Sequence, residues 1–419
     1  MIKIICSAQA YTYNAYHIVK AFYPSVEITN HVEEKASNYV EITFCDGRVI
    51  AVEKEEIKAG TDAEKKAQVD KKLYEKLSEK SGKTLAWGIL TGVRPTKLAM
   101  KKLEEGMEAE EFASWFQKTY LVSEEKSRLA WEIAKREKQL LDQLDYEDGY
   151  SLYVGIPFCP TVCTYCSFSS GALEDWKDFV DDYVEALCKE LEFIGKVSKQ
   201  KKLNSIYIGG GTPTSLNARQ LERILSCIDT HFSREYLLEY TVEAGRPDSI
   251  TEEKLQVIKA HKVTRISINP QTMQQKTLDI IGRKHMVEDI CKTYEMARNL
   301  GFDNINMDLI AGLPGETSVD MKDTLEKVGR LQPDSLTVHS LAIKRAAKMG
   351  QEVKEGQSDA SMCNISPEIG AMIREAEKAA DDMGLKPYYL YRQKNIAGNF
   401  ENVGYAKVDK AGIYNILIM

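Results

Sequence analysis

Six short runs of apolar and β-branched residues recur through the second two-thirds of the chain, separated by helical stretches. The runs are Leu152–Ile156, Ser205–Ile208, Tyr240–Glu243, Arg265–Asn269, Asn304–Ile310 and Ser335–Leu341. Between them, apolar residues recur at helical spacing around 175–199, 217–232, 251–261, 286–300 and 318–330. Strands that alternate with helices favour a parallel sheet covered by helices. Residues 149–345 are therefore predicted to form an α/β fold, either an open wound sheet or an incomplete barrel.

Residues 1–148 have a different pattern of apolar and charged residues, which predicts a separate small α+β domain. Two alternating runs, Val40–Phe44 and Arg48–Glu53, flank an Asp-Gly turn at residues 46–47, which is a strong hairpin signal. Apolar residues at helical spacing also occur in two stretches rich in Lys and Glu, at 61–82 and 123–145.

The last segment, residues 346–419, follows the sixth run and predicts a C-terminal extension that covers the substrate. Its end, Ile413–Met419, has the apolar and β-branched character of a strand and is followed by no polar cap. We therefore expect a strand there, and we expect the C-terminal region to be incomplete.

Three cysteines stand in one loop directly after the first run of the α/β region. Cys159, Cys163 and Cys166 are spaced CxxxCxxC, and Pro157 precedes them. A [4Fe–4S] cluster usually takes four cysteines, so three leave one iron open to another ligand. A zinc site would need a second pair of cysteines or histidines, and none follows at the expected spacing. The spacing indicates a cluster with one open iron, and ordinary buried thiols are the alternative.

Composition restricts the compartment and the partners. Nine cysteines in 419 residues are too few for a secreted disulfide framework, and the N-terminus lacks the basic start and long apolar region of a secretory signal. No apolar run approaches the roughly 18 residues that a membrane span needs. The net charge of −7 argues against general nucleic-acid binding. We expect a protein of the reducing cytosol, with neither a membrane span nor a nucleic-acid partner.

Glycines and polar residues collect at the ends of the later runs, where the active sites of parallel α/β folds lie. These residues are Gly209–Thr214, Glu243–Arg246, Asn269–Gln271, Arg283 and Asp308. Each has an ordinary structural role as its alternative, for example a loop hydrogen bond or a surface charge. Their common position favours one shared site behind the cysteine loop.

At these motifs the chain resembles the radical S-adenosylmethionine (SAM) enzymes. The finer pattern is similar to that of oxygen-independent coproporphyrinogen III oxidases, in Tyr-x-x-Ile-Pro-Phe-Cys, Gly-Gly-Gly-Thr-Pro-Thr, Arg-Ile-Ser-Ile-Asn-Pro-Gln and Asp-Leu-Ile-Ala-Gly-Leu-Pro-Gly-Glu. The N-terminal part and Pro387–Asn399 resemble the HemZ-type coproporphyrinogen dehydrogenase branch. The resemblance implies the incomplete (β/α)6 parallel barrel of radical SAM enzymes.

The resemblance also implies a reaction with its cofactors and partners. SAM would bind the open iron of a [4Fe–4S] cluster, and an electron from a low-potential donor such as flavodoxin or ferredoxin would cleave it. The resulting 5′-deoxyadenosyl radical would remove hydrogen from a propionate of coproporphyrinogen III. Loss of CO₂ and one electron would leave a vinyl group, and two such conversions would give protoporphyrinogen IX in haem biosynthesis.

Roles carry over from the resemblance position by position. Cys159, Cys163 and Cys166 match the cluster ligands. The residues that match contacts of the SAM on the cluster are Tyr153, Gly210 and Glu243. In the oxidases a second SAM is contacted by residues that match Tyr165, Gly211, Thr212, Gln271, Arg283, Asp308 and Ala342. One SAM is therefore expected here, and a second is a hypothesis.

The four carboxylates of such a tetrapyrrole substrate predict cations near the site, since arginine pairs well with carboxylate. The candidates are Lys344, Arg345, Arg392 and Lys394. Three tyrosines are candidates to flank the flat substrate, with core packing as their alternative: Tyr388, Tyr389 and Tyr391.

Two positions depart from the oxidase pattern and keep a second function open. Gly155 stands where the oxidases commonly have histidine, and Phe168 stands where the bacterial oxidase tends to carry a further cysteine. Phe168 is what the haem-chaperone branch of the family has. The alternative is a haem-binding chaperone without oxidase activity, and haem would need an axial ligand such as a histidine. The two histidines nearest the predicted site are His285 and His339.

Overall fold

The computed structural model describes residues 1–24, 26–92, 94–344, 346–355, 366–393 and 400–418. Among these residues, none of the helices combines the length and the apolar character needed to span a membrane.

A four-stranded sheet and two helices form the N-terminal part. The strands are β1 (Ile2–Cys6), β2 (Ile28–Val32), β3 (Asn38–Phe44) and β4 (Val49–Glu53), and the helices are α1 (Gln9–Phe22) and α2 (Asp62–Ser81). The sheet order is β2-β1-β3-β4, and the predicted hairpin is confirmed by the antiparallel pairing of β3 with β4. A capping box between Thr61 and Glu64 begins α2. The apolar core of this part extends from Ile2 to Leu85.

Three further helices pack on a second, larger core. They are α3 (Thr96–Glu104), α4 (Ala109–Tyr120) and α5 (Glu124–Leu141). Apolar residues from Trp87 to Ala134 belong to the same buried cluster as the second sheet. Trp87 donates to Glu401 at 2.7 Å, and the same carboxylate pairs with buried Lys126 at 2.8 Å. Near residue 86 the apolar side chains therefore pass from the first core to the second. The domain bounds 1–148, 149–345 and 346–419 stay a prediction.

The second sheet confirms the predicted incomplete (β/α)6 barrel. Its six parallel strands, neighbours in this order, are β5 (Gly149–Ile156), β8 (Lys202–Gly210), β9 (Glu239–Gly245), β10 (Arg265–Ile268), β11 (Ile305–Ala311) and β12 (Ser335–Ser340). Two short strands in the cysteine loop are β6 (Phe158–Cys159) and β7 (Gly171–Ala172). Two antiparallel strands extend the sheet beyond β12: β14 (Asn402–Ala406) and β13 (Lys386–Tyr391). The first and last strands of this sheet do not pair, so the barrel stays open.

Helices cover the outer face of this sheet. They are α7 (Val180–Val197), α8 (Ala218–His231), α9 (Glu252–Ala260), α10 (Gln275–Ile280), α11 (Val287–Asn299), α12 (Ser318–Leu331) and α14 (Ser366–Asp382). Two short helices lie at the cysteine loop instead: α6 (Leu173–Trp176) packs on β6 and β7, and α13 (Lys348–Lys354) is joined to the loop by the Met349 amide, which donates to Thr164 O at 2.9 Å. Residues alternate between the two faces of each strand. On β5, Leu152, Val154 and Ile156 are buried in the core under the helices, and Ser151 and Tyr153 face the concave interior.

The end of the chain forms a helix, α15 (Ile413–Ile418), so the strand predicted at Ile413–Met419 is wrong. The carboxylate of Glu239 accepts hydrogen bonds from the backbone N–H groups of Ile413 and Tyr414. An acidic side chain satisfies the free amides of a helix N-terminus and is favoured by the helix dipole. The Tyr414 ring also stacks on Tyr207, with centroids 4.6 Å apart. These tertiary contacts outweigh the local β-propensity.

Candidate active site at the carboxyl edge of the sheet

The three cysteines of the CxxxCxxC loop lie at the carboxyl edge of β5. Pairing of β6 with β7 sets Cys159 beside the returning chain at Ala172. The amide of Cys166 donates to the carbonyl of Cys163 at 3.0 Å, which forms a tight turn between the second and third cysteines. All three thiols are free; Cys163 is buried and the other two are partly exposed.

The surroundings of the sulfurs suit an iron–sulfur cluster. Thr212 Oγ1 lies 3.6 Å from Cys159 Sγ, and Arg246 Nη1 lies 3.7 Å from Cys163 Sγ, so these two sulfurs each have a donor. Hydrogen bonds to cysteine sulfurs are a usual feature of such clusters. Among the described residues, no three His, Cys, Asp or Glu side chains converge on the position of a single ion. In a cubane each cysteine binds a different iron, so its ligands need not meet at one point.

The glycine triplet Gly209–Gly211 presses its backbone against the cysteine loop. The amide of Gly211 donates to Ile156 O, and that of Thr212 donates to Phe158 O, both at 2.7 Å. A Cβ on Gly211 would lie 2.6 Å from Phe158 O and 3.0 Å from Cys159 Sγ. Gly210 has φ +110°, which side chains other than glycine rarely adopt. Only glycine therefore permits this approach to the sulfur.

Polar side chains line the concave interior next to the cysteine loop. They include Ser151, Tyr153, Ser205, Tyr207, Glu243, Asn306, Asp308, Thr337 and His339. They come from alternate positions of neighbouring strands, as the period of two in a strand requires. An interior of this kind suits a ligand with many hydrogen-bonding groups.

Glu243 occupies the interior face of β9 and accepts a hydrogen bond from Tyr207 OH. Its side chain is partly accessible from the interior but enclosed by protein, and this burial raises its pKa to about 7. The hydrogen bond from Tyr207 opposes that rise, and the charge of Asp308 adds to it. Sequence reasoning missed Tyr207, although its position two residues before Gly209 puts it on the same face as the glycine.

Three tyrosine rings stack in the interior. Tyr153, which is 47% exposed, lies 6.2 Å from Tyr207 and 6.0 Å from Tyr414 between ring centroids, with interplanar angles of 14° and 15°. Burial raises the pKa of Tyr153 to about 12, so its hydroxyl stays protonated at neutral pH. Tyr153 therefore presents an open aromatic face next to Glu243.

The residues that match contacts of a second SAM divide into two sets. Gln271 adopts φ +66°, and its amide donates to Asp308 O at 2.9 Å. Arg283 is buried and donates to Asn269 O, and the side chains of Tyr165 and Cys163 lie near its guanidinium. Thr212 and Gly211 instead contact Cys159, and Ala342 lies in the loop after β12.

Unpaired polar atoms lie in the first of these sets and next to it. Asn269 Oδ1, Gln271 Oε1 and Arg283 Nε are buried and have no hydrogen-bond partner among the described residues. Burial alone would raise the pKa of Asp308, but His339 and Asn306 outweigh it and hold that pKa below its usual range. Buried polar atoms without partners are rare in folded proteins, and these three are available to a ligand at this edge of the sheet.

The four predicted substrate cations have different positions. Arg392 is buried, donates to Leu90 O at 2.8 Å, and lies over the Trp87 ring at 5.7 Å. Its predicted contact with substrate carboxylates is therefore not supported by its position. Lys344 is exposed in the loop after β12, and its contact with substrate stays a prediction. Arg345 and Lys394 lie outside the described residues.

Of the candidate substrate-flanking tyrosines, Tyr391 lies at the interior. Its hydroxyl lies 3.1 Å from His339 Nδ1, and its ring is stacked 6.4 Å from that of Tyr389. Tyr388 instead accepts a hydrogen bond from Asn415 of α15. The other histidine considered, His285, is buried with Asp248 3.7 Å away.

Comparison with known proteins identifies the family. A family model described as the Radical SAM superfamily matches residues 153–328. The oxygen-independent coproporphyrinogen-III oxidase-like protein HemZ of Bacillus subtilis (strain 168) is 44% identical over 347 residues, which are 82% of this chain and 68% of that relative. This chain belongs to the HemZ family of radical SAM proteins. Radical SAM proteins use a [4Fe–4S] cluster and SAM, so the cofactors expected from the sequence are those of the family.

The HemZ-family chain is also similar to proteins with two other names. The heme chaperone HemW of Bacillus subtilis (strain 168) is 38% identical over 197 residues, 46% of this chain and 51% of that relative. The oxygen-independent coproporphyrinogen III oxidase of Salmonella typhimurium is 31% identical over 196 residues, 47% of this chain and 42% of that relative. This chain thus spans about half the length of these two relatives.

A solved structure confirms the radical SAM fold of the HemZ-family chain. Coproporphyrinogen III oxidase (HemN) from Escherichia coli superposes with a TM-score of 0.54 at 24% sequence identity. The match covers 65% of this chain and 58% of that chain.

Proposed function

We propose that this protein converts propionate side chains of coproporphyrinogen III to vinyl groups without oxygen, giving protoporphyrinogen IX. The observation that carries the proposal is the 44% identity over 82% of the chain with a relative named as oxidase-like. Each propionate would lose one hydrogen atom, CO₂ and one electron. A cluster held by the cysteine loop, together with SAM, would supply the 5′-deoxyadenosyl radical that takes the hydrogen atom.

The cysteine loop is the proposed cluster site. Cys159, Cys163 and Cys166 would hold three irons and leave the fourth for the amino and carboxylate groups of SAM. The free thiols and their two donors, Thr212 and Arg246, support this assignment.

The interior next to the loop is the proposed SAM site. Glu243 would accept hydrogen bonds from the ribose hydroxyls, and Tyr207 orients its carboxylate. Tyr153 and the backbone of Gly210 would line the same ligand. The unpaired atoms of Gln271 and Arg283 support a second SAM as a hypothesis. These walls would also keep water from the radical.

The partners follow from the same reaction. The tetrapyrrole would enter from the open side of the interior near Tyr391 and Lys344, where a cation suits its carboxylates. A low-potential donor such as flavodoxin or ferredoxin would reduce the cluster. Eight described cysteines are free thiols, which suits a reducing cytosol.

Product analysis tests this function. The protein is reconstituted anaerobically with iron and sulfide, then given SAM, a low-potential reductant and coproporphyrinogen III. We expect vinyl products and deoxyadenosine from wild type and from the control Cys188→Ala, which removes a cysteine of α7 outside the loop. Cys163→Ala should give neither. Deoxyadenosine without a decarboxylated tetrapyrrole from wild type would contradict the oxidase proposal.

A haem chaperone is the second candidate, because a HemW relative is more similar than an oxidase over a comparable stretch, at 38% against 31%. His339 would be the candidate axial ligand, since it reaches the interior and is paired with Tyr391. An anaerobic haemin titration that gives a Soret band, lost in His339→Ala, without any vinyl product would favour this function.

A further inference from the structure

Arg246 is a buried arginine to which the family resemblance assigns no role. It follows directly after β9, at the carboxyl edge, and is 3% exposed. Burying a guanidinium is costly unless its charge and its donors are satisfied. The contacts of Arg246 therefore indicate why a cation is kept next to the cysteine loop.

One end of the guanidinium holds the cysteine loop. Nη1 donates to the carbonyl of Thr161 at 2.7 Å and to its hydroxyl at 2.9 Å. The same nitrogen lies 3.7 Å from Cys163 Sγ, within hydrogen-bonding range for sulfur. The cationic end thus lies directly against the sulfur of one proposed cluster ligand.

The other end is paired with a carboxylate. Nε donates to Asp248 Oδ1 at 2.9 Å, and Nη2 donates to Asp248 Oδ2 at 2.6 Å. Asp248 lies on the far side of the guanidinium from Cys163, and buried His285 lies 3.7 Å from it. The Arg246–Asp248 pair is therefore a dipole whose positive end faces the sulfur.

We propose that Arg246 raises the reduction potential of the cluster and so eases its reduction by the low-potential donor. The inference rests on the proposed cluster site. Reduction transfers one electron from the donor and adds one negative charge, part of which lies on the cysteine sulfurs. A cation and a hydrogen-bond donor at Cys163 stabilise the reduced form more than the oxidised form. Arg246 is thus a positioning residue that acts through Cys163.

Two substitutions with opposite expected effects test the proposal. Arg246→Gln removes the cation, and we expect about a tenfold smaller reduced-to-oxidised ratio at a fixed solution potential, equal to a fall of about 59 mV for one electron. Asp248→Asn removes the carboxylate, while Thr161 still anchors Nη1 against Cys163, so the potential should rise. If Arg246 and Asp248 only supported the fold of the loop, the two substitutions would not shift the reduction potential in opposite directions.

The measurement is a spectroelectrochemical titration of the anaerobically reconstituted protein, with iron and sulfide counted for every variant. The matched control is Arg234→Gln, an arginine near the opposite end of β9 that pairs with Asp229. Equal potentials in all forms, or equal shifts in Arg246→Gln and Arg234→Gln, would overturn the inference and leave the proposed function intact. A wild type that binds no four-iron cluster would overturn the cluster site itself. If Arg246→Gln loses its iron, the Asp248→Asn variant decides. A rise in its reduction potential supports the proposal, and a fall or no change overturns it.

Discussion

Replacing Glu243 with glutamine should weaken SAM binding by about 10- to 100-fold. The carboxylate lies on the interior face of β9, enclosed by protein and oriented by Tyr207. A hydrogen bond to a charged group contributes roughly 1.5–3 kcal/mol. Each 1.4 kcal/mol corresponds to about a tenfold change in the dissociation constant. Glutamine keeps the shape of the side chain and loses the charge, so the change isolates this contribution.

The same carboxyl makes SAM affinity depend on pH. Burial raises the pKa of Glu243 to about 7, so in the SAM-free protein half of it is protonated near neutral pH. SAM affinity should therefore fall as the pH falls through 7, because the carboxylate is the better acceptor. Tyr207→Phe removes the hydrogen bond that lowers this pKa, so the transition should move to higher pH by about one unit. The free energy of unfolding depends on pH in the opposite direction. Because the pKa of Glu243 is raised from 4.5 to about 7 in the folded protein, the stability that this group contributes falls as pH rises through that range.

Equilibrium binding of SAM to the cluster-loaded protein, measured anaerobically between about pH 5.5 and 8.5, tests both effects. Glu235→Gln is the control, because Glu235 is exposed in the turn before β9, away from the interior. It should leave SAM affinity unchanged. Wild-type affinity that does not vary with pH, or equal affinity in Glu243→Gln and wild type, would refute the reasoning.

Three further predictions concern other parts of the chain. Gly211→Ala should lower the iron content after reconstitution, because its Cβ would lie 2.6 Å from a backbone oxygen, whereas Gly92→Ala meets no atom within 4 Å and should load normally. Lys126→Met should cost about 3–5 kcal/mol in urea denaturation, because it leaves the Glu401 carboxylate buried without its cation; a loss under about 1 kcal/mol would contradict this. Burial raises the pKa of Glu137 to about 8, so thermal stability should fall as pH rises from about 4.5 to 8, and Glu137→Gln should remove that dependence. An unchanged pH profile in the variant would rule out this assignment.

The parallel core was accessible to sequence reasoning because each strand and helix is marked locally. All six predicted runs fall on strands, and the glycine triplet after the second run reaches the cysteine loop. Periodicity and glycine positions depend on residues close in sequence. They were sufficient to bring Cys159, Gly211 and Glu243 to one edge of the sheet.

Contacts between distant segments were not accessible in the same way. Arg392 is predicted as a cation near the substrate, but it follows the end of β13 and its guanidinium packs over the Trp87 ring, whereas the neighbouring Tyr391 reaches His339. Ile413–Ile418 carries β-branched residues, yet Glu239 and Tyr207 hold it as a helix. Glu239 lies more than 170 positions before this helix in the sequence, so no local pattern contains the contact that holds it.

Hydrogen transfer from a labelled substrate tests the central proposal most directly. Coproporphyrinogen III deuterated on its propionate side chains is incubated anaerobically with the reconstituted protein, SAM and reductant, and the deoxyadenosine is analysed by mass spectrometry. We predict deoxyadenosine that carries one deuterium, together with a tetrapyrrole that has lost CO₂. Unlabelled deoxyadenosine beside unchanged substrate would contradict the account.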